Sequence, residues 1–362
     1  MWEGHLTSDP RVMNDYLRRY AVFLLDGFSI DGFKIQVGTI KGYMNAINAY
    51  YKDQGHRQPF NWKDNSPASI LLRAQEKFEQ EPDKRNPLTE AMCVRMLARA
   101  RDEDALSFEA AAWNFTAVGR YGGFRAQEFC MDSPKEIRYY VMPDGTEIVR
   151  AFTNSDFLFY DKDSIAMEAP LRNRRKIKIG GQRYKVQKNR MNGQVITQKC
   201  CPEYPEYCSP TNMLEIVSRA EMLGYAEPND PLCVYQNKKG DVRFLTGQSM
   251  TDYYRTIALS IYPSMTKEEL SLISTHSLRV FACTLLHEAG KDGSYIKLRL
   301  RWLSNCFEVY LRNTDRIRQQ HEEALGGSNA RMAKMVVDAM VDGDCVHIRG
   351  VPDLAIEVED ED

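Results

Sequence analysis

Between Ile137 and Thr197 the hydrophobic pattern of this 362-residue chain changes character, and the change limits the folds open to it. EIRYYV, EIVRAF, DFLFY, KIKI, RYKVQ and QVITQ are short and β-like, with turns marked by Pro143-Asp144-Gly145, Gly180-Gly181 and Asn192-Gly193. Such runs between turn-forming residues read as strands. On either side the apolar residues recur at helical spacing. Tyr16, Leu17, Tyr20, Ala21, Phe23 and Leu24 mark a first helix. Ile40, Tyr43, Met44, Ile47 and Tyr50 mark a second, with Thr39 as its N-cap. Ser66-Pro67 opens a third, ASILLRAQEKFEQ, with proline in the first turn. Helices follow after Thr89 and from Ser107 to Val118; the run from Gly119 to Gly123 is too rich in glycine for a helix interior. Helical spacing returns over 209–223 and 249–261 and dominates from His276 onward. The expected fold is mainly α with a small antiparallel β-sheet, an α+β chain.

The segment EPDKRNP carries two prolines and four charges, as a linker does. It sets the expected organisation: a helical domain over 1–82, a linker at 83–87, a larger domain over 88–325, and a C-terminal helix (SNARMAKMVVDAMV) with an acidic tail over 326–362.

No run of 18 or more apolar residues appears, so no membrane span is expected. The start, MWEGHLTSDP, lacks the pattern of a secretory signal. Nine scattered cysteines without a Cys-x-x-Cys pair fit a reduced, intracellular setting. CCPEYPEYC lacks zinc spacing and reads as a loop, and His287-Glu288 lacks the second histidine of a metalloprotease helix. No metal or other cofactor is expected.

The net charge of −2 hides an uneven distribution. Arg172, Arg174, Arg175, Lys176, Lys178, Arg183, Lys185, Lys188, Arg190 and Lys199 crowd one stretch, 170–202, without a single acid. A basic hairpin of this kind neutralises phosphates, and its alternative is a solvated surface. Six acids occupy the last twelve residues. They read as a solvating end, with restraint of the basic hairpin as the alternative.

The residues from Thr275 to Tyr310 carry the chemistry. His276 and Arg279 stand three apart, then come Trp302 and, eight positions later, Tyr310. Two cationic or donor groups, an indole N–H and a phenol suit the cleavage of a phosphodiester by a tyrosine. Upstream, Gly123-Phe124-Arg125-Ala126-Gln127-Glu128 offers a further arginine. Alone, each residue has a plainer reading: a solvated helix start, a core tryptophan, a packed tyrosine, a salt-bridged arginine.

Taken together, THSLR, HEAG, RWLSN, the final Tyr and GGFRAQE resemble the tyrosine recombinases, the phage-integrase-like DNA strand-transfer enzymes. The resemblance spans roughly 10–320 and comes closest to recombinases of eukaryotic mobile elements. It implies a core-binding-like DNA-binding domain followed by a catalytic domain. Arg125 and Arg279 would grip the scissile phosphate, His276 would act as base or phosphate donor, and Trp302 would give its indole N–H. Tyr310 would attack, forming a 3′-phosphotyrosine. Lys188, at the hairpin turn, would protonate the leaving oxygen, with Lys185 as runner-up. Glu128 would orient its neighbours. Double-stranded DNA is the implied partner, touched by the basic stretch and by Lys41 and Asn45 on the second helix. The implied assembly is a homotetrameric synapse formed from free monomers or dimers. The implied compartment is the nucleus in a eukaryote, otherwise the cytoplasm or nucleoid. The implied activity integrates, excises or transposes a mobile element. Alternatives are a domesticated DNA-binding protein without catalysis and strand relaxation like that of a type IB topoisomerase. Leu300 departs from a glycine common in the family, and its bulk is expected to alter the loop's approach to phosphate.

Overall fold

The computed structural model describes residues 9–26, 35–63, 65–79, 84–142, 144–187 and 192–311, together with 317, 319–320 and 322–323. Lys188 and Arg190, the C-terminal helix candidate and the acidic tail lie outside the described residues. The chain divides into two compact units, Met1–Asp83 and Lys84–Asp362.

The first unit holds α1 (Pro10–Leu25), α2 (Val37–Asp53) and α3 (Pro67–Glu76). One core joins Leu17, Ala21 and Leu24 to Val37, Ile40 and Met44 and to Ala68 and Leu72, with Phe60 from the α2–α3 connection. Ser66 caps α3 by accepting from the Ser69 N–H. Thr39 does not cap α2: the helix begins two residues earlier, after Gln36, whose side chain makes no capping bond. The Val37 N–H is taken instead by the Glu79 carboxylate at 2.6 Å. An acid at a helix N-terminus satisfies a free donor and the helix dipole at once. α3 ends at Glu76, short of the expected Gln80, as Lys77 and Phe78 close turn bonds onto Ala74 and Gln75.

The second unit opens with α4 (Glu90–Asp102), α5 (Phe108–Gly122) and the short α6 (Ala126–Phe129). The hairpin of β1 (Tyr139–Val141) and β2 (Glu147–Val149) follows, then the antiparallel sheet of β3 (Phe157–Tyr160), β4 (Ile179–Tyr184) and β5 (Gln194–Lys199), in that spatial order. Next come α7 (Ser209–Met222), a hairpin of β6 (Val234–Gln236) and β7 (Val242–Phe244), α8 (Gly247–Ile261) and α9 (Lys267–Ser271). α10 (His276–Glu288) and α11 (Gly293–Leu300) lead to a 3₁₀ turn, Asn305–Tyr310. The class is mainly α with small antiparallel sheets, as expected. The β6–β7 hairpin carries too little alternation to be read from its residues.

Helix α5 is the axis of this unit. It is buried almost throughout and packs against α4, α7 and α10. It does not stop before Gly119, because these glycines serve close approach. A Cβ on Gly119 would stand 2.5 Å from Leu278 Cδ2, and one on Gly122 would stand 2.6 Å from the Tyr184 hydroxyl. The helix ends at Gly123, in the left-handed conformation at φ 56°. Likewise Gly180-Gly181 is no turn but the middle of β4, where a Cβ on Gly180 would meet Met213 Sδ at 2.9 Å and Pro210 at 3.1 Å.

The basic stretch is not one hairpin. Arg172, Arg174, Arg175 and Lys176 belong to a 3₁₀ segment, Pro170–Lys176, and among the described basic residues Arg183 and Lys185 stand near the β4–β5 turn. Among the described residues no helix is long and apolar enough to cross a membrane.

Candidate functional site

The site gathers at one end of α5. α10 starts at His276, so His276 and Arg279 share a face one turn apart. Arg279 is buried and held by two carbonyls: Nη1 donates to Gly123 O and Nη2 to Leu300 O, each at 2.5 Å. These oxygens lie at the C-terminal ends of α5 and α11, where carbonyls lack helical partners. The Trp302 ring lies under the guanidinium, its centroid 4.4 Å from Cζ. Burial, and next the Arg125 charge, pull the Arg279 pKa down to about 9, which leaves it cationic at neutral pH.

Tyr310 ends the 3₁₀ turn, pinned by the buried Phe307 three residues before it and by Lys297 Nζ bonding Asn305 Oδ1 at 3.1 Å. Its hydroxyl lies 3.1 Å from His276 Nε2. Burial, then the Arg279, Arg85 and Arg125 charges, push the imidazole pKa down to about 4. Burial also raises the phenol above its ordinary value. At neutral pH the imidazole is therefore neutral, and in the tautomer with its proton on Nδ1 the Nε2 atom accepts from the Tyr310 hydroxyl.

Arg125 caps α6 through a reciprocal arrangement with Glu128. Its backbone N–H donates to Glu128 Oε2 at 2.8 Å, and its Nη1 to Oε1 at 3.0 Å. The guanidinium stays about one-third exposed, at 31%. The Trp302 indole N–H is buried and meets no acceptor among the described residues.

The structure thus brings Arg125, Glu128, His276, Arg279, Trp302 and Tyr310 together from four separate stretches of chain. Lys185 follows the last residue of β4 and pairs with the buried Asp156 at 2.8 Å, with Thr153 Oγ1 at 3.3 Å. Arg172, Arg175, Lys176 and Lys178 are exposed, and Arg174 is tied to Glu215 at 2.8 Å. Arg183 is half-buried in β4. In the first unit Lys41 sits 4.1 Å over the Trp62 ring and Asn45 is exposed. Asn48 brackets the Phe60 backbone through both N–H and C=O, so its amide is engaged internally.

Two residues went unread. Arg85, in the expected linker, bonds Ser271 O and contributes positive charge to His276 and Tyr310. A charged linker gives no sign of such placement. Arg301 lies buried beside Glu128. Leu300 is not where a glycine is needed: it is the last helical residue, with its side chain buried against Gly123, and the left-handed position is Arg301, at φ 58°.

Among the described residues no cluster of His, Cys, Asp or Glu is arranged to hold a metal ion, and Cys200, Cys201 and Cys208 are free thiols.

No protein-family model matches the chain, and no curated protein sequence matches it. Solved structures do. The chain is similar to the Tn1549 transposon integrase in complex with transposon right end DNA, at 12% identity and TM-score 0.45, over 86% of this chain and 85% of that one. It is similar to the XerH site-specific recombinase bound to palindromic difH substrate, at 14% identity and TM-score 0.45, over 90% and 74%. It is similar to a lambda integrase dimer bound to a COC′ core site, at 10% identity and TM-score 0.35, over 86% and 82%.

Proposed function

We propose that this chain is a site-specific DNA recombinase of the tyrosine-recombinase type, which cleaves and rejoins strands through a 3′-phosphotyrosine. The observation that carries the reading is the Tyr310 hydroxyl 3.1 Å from a neutral His276, beside the Arg279 and Arg125 guanidiniums.

A phenol has a pKa of about 10 and needs help to attack. His276 accepts the proton as the Tyr310 oxygen bonds to phosphorus. Arg279 and Arg125 supply N–H donors in fixed forks to the phosphate oxygens, matching the charge that grows in the transition state. The Trp302 indole N–H, already in place, gains an acceptor when a phosphate oxygen arrives. The P–O5′ bond breaks, and the 5′ oxygen leaves with a proton from a lysine at the β4–β5 turn. Lys188 is assigned that role first. Lys185, engaged with Asp156, is the second candidate. Bond energy is kept in the phosphotyrosine, so rejoining needs no nucleotide.

The substrate is double-stranded DNA, held by Arg172, Arg174, Arg175, Lys176, Lys178 and Arg183 and, from the first unit, by Lys41 and Asn45. The biological reaction is movement of a DNA element, run in a tetrameric synapse.

The test mixes wild type and Tyr310→Phe with fragmented genomic DNA, denatures, and looks for protein-linked DNA. An adduct with wild type alone supports the nucleophile. DNA binding without an adduct from either protein overturns the catalytic reading in favour of a binding protein.

A further inference from the structure

Arg301 occupies a position that favours glycine. It follows α11 with φ 58° and ψ 45°, a left-handed conformation that a Cβ disfavours. Its side chain is nonetheless fully buried and held through both Nη atoms: Nη2 donates to both Glu128 oxygens, at 3.1 and 2.9 Å, and Nη1 to Gly122 O at 2.7 Å. The guanidinium carbon rests 3.4 Å from the centroid of Tyr184, the last residue of β4.

We propose that Arg301 is a positioning residue that holds Arg125, Trp302 and the root of the β4–β5 turn in one frame. This rests on the reading of Arg125 and Trp302 as phosphate-holding groups. Glu128 is shared between two guanidiniums. Its Oε1 takes one N–H from Arg125 and one from Arg301, and its Oε2 takes the Arg125 backbone N–H and a second bond from Arg301. The Arg125 side chain therefore stands where Arg301 sets the carboxylate. Trp302 is the next residue in the chain, so the backbone that fixes Arg301 also fixes the indole. Tyr184 immediately precedes Lys185, and Arg299 reaches across to Thr197 O on β5 at 2.9 Å, so both strands of the hairpin are tied to this end of α11. Buried ion pairs contribute little net stability, while losing one partner strands the other, which favours a role in geometry over one in stability.

The test compares Arg301→Met, Arg301→Lys and the charge-neutral pair Arg301→Met/Glu128→Gln with wild type, below their melting temperatures. The readouts are the rate of adduct formation on saturating fragmented genomic DNA, DNA affinity, and the ¹⁵Nε–Hε NMR signal of Arg125, assigned with Arg125→Lys. Arg301→Met is expected to slow the adduct by about 10- to 100-fold, because small misplacements of reacting groups cost that much, with affinity within about threefold. Arg301→Lys, which keeps the charge, should recover part of the rate, and the Arg125 signal should broaden in Arg301→Met. A lowered melting temperature with an unchanged adduct rate and an unmoved Arg125 signal overturns the proposal. If wild type forms no adduct, the catalytic reading has failed and the Arg125 signal alone decides: broadening upholds the positioning role, and no change refutes it. If Arg301→Met does not fold, the lysine and double variants carry the same comparison.

Discussion

His276 Nε2 lies 3.1 Å from the Tyr310 hydroxyl, and the same imidazole has its pKa lowered to about 4 by burial and by nearby arginines. The geometry puts a ring nitrogen within hydrogen-bond reach of the phenol, and the electrostatics keep the imidazole neutral, with one ring nitrogen open as an acceptor, across the neutral range. Replacing it with glutamine is expected to slow adduct formation by about 100-fold or more, in line with the loss of a positioned base.

The depressed pKa also fixes a pH response. Between about 4 and the unperturbed value near 6.5, the unfolded chain binds a proton at this histidine and the folded chain does not. Stability therefore falls as pH drops through that window. Denaturant melts at pH 7 and pH 5 should show a smaller loss in His276→Gln than in wild type. The adduct rate should lack an inflection near pH 6.5 from this residue. An equal pH response in both proteins would contradict the assigned shift.

Trp302 joins packing to chemistry. Trp302→Phe keeps an aromatic ring against Arg279 and Phe307 but removes the indole N–H. The adduct rate should fall by about 100-fold, at the lower end of the range seen for loss of one transition-state donor, with little change in melting temperature. A large stability loss with an unchanged rate would make the indole a packing group.

Gly123 and Leu300 form a coupled pair. A Cβ on Gly123 would stand 2.9 Å from Leu300 Cδ2, on a backbone with φ 56°. Gly123→Ala should destabilise wild type by about 2 kcal/mol, combining conformational strain with crowding. In a Leu300→Ala background only the strain of about 1 kcal/mol should remain. Denaturant melts of the four proteins measure the difference, and purely additive losses would show that Leu300 is not the crowding group.

DNA binding by the 3₁₀ segment and the Lys178 that follows it has a salt signature. If Arg172, Arg175, Lys176 and Lys178 each meet a phosphate, the slope of log affinity against log salt should shrink by about 0.9 per residue changed to alanine. Fluorescence anisotropy with random-sequence duplex DNA reads this directly. An unchanged slope in the quadruple variant would make these cations a solvated face.

Much of the site is legible in the residues because its parts are local. His276 and Arg279 sit at helical spacing, and Arg125 caps the short helix that holds Glu128. The misread elements depend on distant partners. Gly119 looks like a helix breaker until Leu278 is seen against it, and Gly180 looks like a turn until α7 is packed on β4. The Arg301–Glu128 pair joins positions 173 apart, which no local pattern reveals. The β6 and β7 strands are three residues each, too short for alternation to appear.

Arg279 is anchored by the carbonyls of Gly123 and Leu300, which belong to the peptide chain and not to any side chain. Substitution along α5 and α11 cannot delete those acceptors. A side-chain change at either carbonyl's own residue leaves the acceptor in place as long as the backbone path is kept. Position 123 sets the limit, where a side chain would crowd Leu300 and disturb the backbone that offers the oxygen. The seat of the arginine is written in chain path and not in residue identity.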